Sequence, residues 1–181
     1  MRRFGLIGRP LGHSASAAYF AAKFEREGIA DCTYTLYELP EIGALERLLA
    51  ETPDLCGFNV TIPYKKAVMP LLDEISPEAA AIGSVNTIVN RAGKLTGYNT
   101  DAFGFTWLLQ KSGVDVAGKK ALVFGSGGAS VTVCHVLKSL GADPVVVISR
   151  SGENNYENLD RHTDAKILVN ATPLGMYPGN G

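Results

Sequence analysis

The residues of this chain best suited to chemistry are a lysine, a carboxylate, two closely spaced hydroxyls and a glycine-rich turn. Lys65 ends the run Asn59-Val60-Thr61-Ile62-Pro63-Tyr64-Lys65, in which an apolar strand gives way to polar residues and a proline. Ligands of open α/β sheets bind outside the carboxyl ends of the strands, so Lys65 stands where acid–base chemistry or anion binding takes place. A cation in the first turn of a helix also opposes the helix dipole. By position alone an ordinary surface lysine fits equally well. Ser14 and Ser16 stand at the start of a helix expected over 17–27, and either suits its N-cap. Two hydroxyls at a helix start also suit a carboxylate ligand. Asp101, in Asn99-Thr100-Asp101, begins another helix, where capping is the plainer role.

The glycine turn is Gly125-Ser126-Gly127-Gly128-Ala129. An apolar strand over 119–124 precedes it, a helical pattern over 129–140 follows, and Val145 to Ile148 forms a second strand. Strand, bare turn, helix and strand make a βαβ unit whose first turn lets a pyrophosphate approach the backbone at a helix N-terminus. The third position of the usual G-x-G-x-x-G is Ser130, and a tight turn that binds nothing is the alternative. The second strand ends in Ser149-Arg150-Ser151. An acidic residue there would take a ribose 2′-hydroxyl; a guanidinium between two serines suits a 2′-phosphate, which favours NADP over NAD. A solvated surface arginine is the alternative.

The totals bound the rest. At 181 residues the chain holds one large or two small domains, and 46% apolar residues suffice for real cores. Net charge is −1 with no basic block, so neither nucleic acid nor an anionic membrane surface is an expected partner. Cys32, Cys56 and Cys134 are scattered and odd in number, which argues against a disulfide frame or a metal site and for a reducing compartment. No apolar run follows Met1-Arg2-Arg3, so no signal peptide or membrane span is expected and a cytoplasmic location is the default.

These residues need elements to position them. Strands are expected over 4–8, 32–38 and 55–60, alternating with helices over 17–27 and 40–50, which predicts an α/β layer. A helix beginning at Ser76-Pro77 runs to Ile82, followed by a strand over 83–90, a turn at Ala92-Gly93 and a returning arm over 95–98. A helix over 102–111 carries Phe103, Trp107 and Leu108 and is closed by Gly113. The expected division is residues 1–113 for substrate and 114–181 for a partial Rossmann-type domain, with the active site in the cleft between them. A third strand over 165–169 ends in the loop Asn170-Ala171-Thr172-Pro173-Leu174-Gly175-Met176. Only a first βαβαβ half is expected from 114–181, leaving one sheet edge without neighbours.

Taken together, the motifs resemble the shikimate dehydrogenase family. Those that carry the resemblance are His13-Ser14-Ala15-Ser16, the run from Asn59 to Lys65, Gly83-Ser84-Val85-Asn86-Thr87, Gly97-Tyr98-Asn99-Thr100-Asp101, the glycine turn, and the loop from Asn170 to Met176. They occur in the family's order over essentially the whole chain. The resemblance implies NADPH-dependent reduction of 3-dehydroshikimate to shikimate, in the biosynthesis of aromatic amino acids. A broader quinate/shikimate dehydrogenase, and a fragment that binds ligand without turnover, are the alternatives.

The resemblance also implies roles. Ser14 and Ser16 would hold the substrate carboxylate, while Thr61, Asn86 and Asp101 would bond the ring hydroxyls. Lys65, paired with Asp101, would be the acid–base residue. Gly125, Ser126, Gly127, Gly128 and Ala129 would cradle the pyrophosphate, and Ser149, Arg150 and Ser151 the 2′-phosphate. Thr172 and Met176 would lie near the nicotinamide. No metal is implied, and oligomeric state is not readable from the sequence. The chain departs from the family pattern at Ala17, where proline is usual. The family also continues past residue 181, with more of the cofactor domain and a terminal helix that supplies a glutamine to the substrate.

Overall fold

Side chains alternate along residues 2–60 between two faces of a pleated layer, and that alternation builds the first sheet. The computed structural model describes residues 1–175. Strands β1 (Arg2–Gly8), β2 (Cys32–Glu38) and β3 (Leu55–Val60) run parallel, with β1 between the other two. Helices α1 (Ser16–Arg26) and α2 (Ala44–Glu51) make the crossovers. After the short helix α3 (Tyr64–Ala67) come β4 (Glu74–Ile75), α4 (Pro77–Ile82), β5 (Thr87–Arg91) and β6 (Lys94–Tyr98). The six strands lie in the order β2-β1-β3-β5-β6-β4. β5 is antiparallel to both β3 and β6.

One face of this sheet carries the core. Ile7, Phe58, Val60 and Ile88 pack there with Leu45 and Leu48 of α2, Tyr64 and Val68 around α3, and Ala79 of α4. The pleat sends Phe4, Tyr34, Asn59 and Thr87 to the opposite face. On that face α1 contributes no fully buried residue. It rests instead on aromatic contacts: Phe20 stacks on Tyr34 at 4.3 Å between ring centroids and touches Phe24 at 5.9 Å.

The expected elements are present, with shifted ends. α1 starts at Ser16 instead of residue 17, and the strand expected over 83–90 begins only at Thr87. The cause of the second shift is Gly83, whose φ of +75° lies in the left-handed region and terminates α4. Ser76 Oγ accepts the Ala79 amide at 3.2 Å, so the start of α4 is capped as its sequence predicts. The turn at Ala92-Gly93 has positive φ at both residues, the geometry that matches a two-residue hairpin.

The second unit comprises residues 82–84 and 100–181, and the first comprises 1–81 and 85–99. Helix α5 (Asp101–Ser112), grouped by the sequence reading with residues 1–113, packs in the second unit against α6 (Gly128–Ser139). Its buried residues are Ala102 and Leu109, whereas Phe103, Trp107 and Leu108 stay exposed, Phe103 by 76%. Strands β7 (Ala121–Phe124), β8 (Val145–Ile148) and β9 (Ile167–Asn170) form a parallel sheet in the order β8-β7-β9. The third strand therefore adds on the far side of β7, not beyond β8. Strand order reverses at β7, and among the described residues β8 and β9 are both edges. Lys120, just before β7, reaches Asp164, just before β9, at 2.6 Å and holds that carboxyl below its usual pKa.

Candidate active site

Parallel strands deliver their following loops to one edge. β1, β2 and β3 all end at the same edge of the first sheet, and the antiparallel β5 begins there. After β1 come Ser14 in the loop and Ser16 at the start of α1, after β3 come Thr61 in the loop and Lys65 on α3, and Asn86 immediately precedes β5. Five of the sequence-predicted substrate residues thus share one edge.

Local contacts fix each of them. Glu38 Oε2, at the end of β2, accepts the Leu11 amide at 2.7 Å and ties down the loop after β1. Ser14 Oγ accepts the Ser16 amide at 3.3 Å. The N-cap position of α1 is Ala15, which offers no side-chain acceptor, so Ser14 takes up part of the capping work one residue early. The Thr61 amide donates to the Ile7 carbonyl at 2.9 Å and the Arg9 amide to the Ile62 carbonyl at 2.9 Å, so the loop after β3 lies flat on the end of β1. This closeness requires Gly8: a Cβ there would collide with the Thr61 methyl group and with Leu11. Lys65 is half-buried on the four-residue helix α3. Its neighbour Tyr64 is buried and donates its hydroxyl to the Leu39 carbonyl at 2.7 Å, and the Lys65 carbonyl accepts the Val85 amide at 2.8 Å. Asn86 is buried, with its amide donating to the Tyr98 carbonyl at 3.0 Å and its carbonyl accepting from Val60 at 2.8 Å.

Two residues that bond to this group escaped a role in the sequence reading. Tyr34 donates its hydroxyl to Asn59 Oδ1 at 2.8 Å, and Asn59 Nδ2 donates to Thr87 Oγ1 at 3.2 Å. Burial pushes the Tyr34 phenol up to about 12, with a hydrogen bond to the Ser16 side chain pulling the other way. The signal for Asn59 is a polar residue inside an apolar strand; the one for Tyr34 is absent, since an alternating strand with tyrosine is ordinary.

In the second unit the bare turn follows β7. Gly125 has a φ of +111°, and a Cβ on it would stand 2.9 Å from the Ala171 carbonyl oxygen. Only glycine fits there. Gly127 is the N-cap of the twelve-residue α6, and a Cβ on it would meet nothing within 4 Å. Ser126, Gly127 and Ala129 are exposed, so first-turn backbone lies open to an anion. Ser130, standing for the third glycine, is buried and small enough for the helix to approach the strand. Thr172, in the loop after β9, lies beside Gly125, with its methyl 3.3 Å from the same hypothetical Cβ. Both thus sit where strand order reverses. Ser149, Arg150 and Ser151 follow β8, and Arg150 lines a pocket of about 220 Å³ with Asn155, Tyr156 and Glu157. These residues fit an NADP: a glycine cradle for the pyrophosphate, and a guanidinium between hydroxyls for the 2′-phosphate. Asp101 begins α5 behind Thr100, which holds the N-cap position without a side-chain cap. Met176 lies outside the described residues.

Residues 6–88 match the family model described as the shikimate dehydrogenase substrate binding domain. The NADP(+)-dependent shikimate dehydrogenase of Symbiobacterium thermophilum is 38% identical over 98% of this chain and 68% of its own length. The chain belongs to the shikimate dehydrogenase family. A crystal structure of shikimate dehydrogenase 1 from Peptoclostridium difficile is 39% identical and superposes with a TM-score of 0.90, covering all of this chain and 70% of that one. The enzyme of Thermus thermophilus, solved with NADP(H) and shikimate, is 35% identical with a TM-score of 0.82, over 97% of this chain and 70% of that one. Among the described residues no helix is long and apolar enough to cross a membrane.

The Tyr34 environment sets a pH dependence. Its folded pKa lies above the usual value near 10, so the unfolded chain loses this proton first as pH rises. The stability it contributes is complete below about pH 10 and is lost between there and about pH 12. An absorbance titration at alkaline pH should contain a tyrosine step near pH 12, and Tyr34→Phe should remove it.

Proposed function

We propose that this chain reduces 3-dehydroshikimate to shikimate with NADPH. The observation that carries this reading is the single sheet edge that gathers Ser14, Ser16, Thr61, Lys65 and Asn86 in a shikimate dehydrogenase fold. NADPH, when bound, supplies the hydride for the ketone. The protein does the rest. Ser14 and Ser16 hold the substrate carboxylate beside the start of α1, and Thr61 and Asn86 bond the ring hydroxyls. The Lys65 ammonium stabilises negative charge growing on the ketone oxygen and donates the proton that completes the alcohol. Asp101 supplies the carboxylate of the acid–base pair that the family resemblance implies. It follows Tyr98, the last residue of β6, by three positions in the chain.

The cofactor is held by the turn from Gly125 to Ala129, with Ser149, Arg150 and Ser151 on the 2′-phosphate and Thr172 toward the nicotinamide. The division of labour is substrate recognition by the sequence up to about Gly113 and cofactor binding by 114–181. Three cysteines without disulfides suit a reducing compartment, and the cytoplasm is the proposed location.

Reduction of NADP by the purified chain on addition of shikimate tests the reading; absence of both turnover and shikimate binding would overturn it. Lys65→Ala should lower kcat by roughly 10²–10⁴-fold with a much smaller change in shikimate KM. Unchanged kcat would remove Lys65 from the mechanism. Arg150→Ala should raise the KM for NADP by roughly 10–100-fold, the loss of one or two charge-assisted hydrogen bonds, and leave NAD nearly unaffected. Equal weakening of both cofactors would refute the 2′-phosphate assignment.

A further inference from the structure

Asn86 is buried at the sheet edge, and its use depends on which end of its side-chain amide faces outward. A run of side-chain hydrogen bonds decides that. Asn59 on β3 stands directly across from Thr87 on β5. Asn59 Nδ2 lies 3.4 Å from the Asn86 backbone carbonyl, a group that can only accept. The NH₂ end of Asn59 is therefore turned toward β5, and its Oδ1 faces the other way. There the Tyr34 hydroxyl donates to it at 2.8 Å. Asn59 Nδ2 also donates to Thr87 Oγ1 at 3.2 Å, so the Thr87 proton is directed onward to Asn86 Oδ1 at 3.1 Å. Tyr34, Asn59 and Thr87 each donate in the same direction, an arrangement in which each bond strengthens the next. The run ends by taking up the acceptor end of the Asn86 amide, which sets the NH₂ group on the opposite side.

We propose that Tyr34 is a positioning residue for substrate recognition: through Asn59 and Thr87 it fixes the Asn86 amide with its NH₂ end toward a substrate hydroxyl. This rests on the reading of Asn86 as a substrate contact. The ring of Tyr34 is held by its stack on Phe20, with an interplanar angle of 14°, while only the hydroxyl takes part in the run. Phenylalanine at this position keeps the stack and removes the hydroxyl, including its bond to Ser16, whereas Thr87→Val interrupts the run without touching that bond. With phenylalanine, Asn59 Oδ1 loses its partner, and the hold of the run on Asn86 Oδ1 is weakened.

The test is steady-state kinetics on the purified chain with the variants Tyr34→Phe, Thr87→Val and Thr87→Ser, together with calorimetric binding of shikimate. Tyr34→Phe and Thr87→Val should each raise shikimate KM about five- to tenfold, the effect of one lost hydrogen bond, with kcat and NADP KM within about twofold of the parent. Thr87→Ser keeps the hydroxyl and should keep the parental KM. The double variant Tyr34→Phe/Thr87→Val should be no worse than the worse single one, because both interrupt the same run. Parental KM in both single variants, multiplying effects in the double, or an equal rise in NADP KM would overturn the proposal while leaving the proposed activity standing. If the parent chain binds shikimate without turnover, the same ratios are read from Kd. A parent chain that neither turns over nor binds shikimate overturns the functional reading and this proposal together.

Discussion

The parallel pairing of β1 with β2 and β3 is the constraint on which the first unit depends. Parallel neighbours bring successive loops to a single edge, and the crossovers must return over a face each time. Here that places the loops beginning at Arg9, Leu39 and Thr61 side by side. The chain then reverses through β5, so that Asn86 arrives at the same edge from the opposite direction. The chemistry of the loops is local, but their convergence is a property of strand direction. Gly8 completes the arrangement, since the missing side chain lets the third loop rest on the end of the first strand.

Much of this was legible in the sequence, because the signals are short-range. Alternation marked the strands, and glycines and prolines marked their ends. Ala92-Gly93 gave the hairpin and Ser76-Pro77 the start of α4. Errors gathered where the local signal is two-valued. Gly83 ends a helix by its left-handed φ, yet Ile82, Val85 and Thr87 around it are β-branched and read equally well as strand. Helix α5 carries three large apolar side chains, but the buried positions are Ala102 and Leu109, and burial, not size, decides which unit the helix joins.

The long-range features were not legible. The sequence around Ile167 predicts a strand but says nothing of which neighbour it chooses, and β9 pairs on the far side of β7. That choice makes β7 the switch point and puts Thr172 beside Gly125, a juxtaposition no spacing rule contains. The run from Tyr34 to Asn86 was invisible for the same reason: its members come from separate strands, and each is ordinary alone.

Helix α1 has a further consequence. It buries none of its residues completely and is attached chiefly by an aromatic stack, while Ser14 and Ser16 sit at its first turn. Elements with few buried contacts open locally at a fraction of the cost of global unfolding. The two serines thus stand at the start of an element that opens more readily than the buried core. A carboxylate held there would tie the helix start to the sheet edge, so that ligand occupancy and the order of α1 rise together.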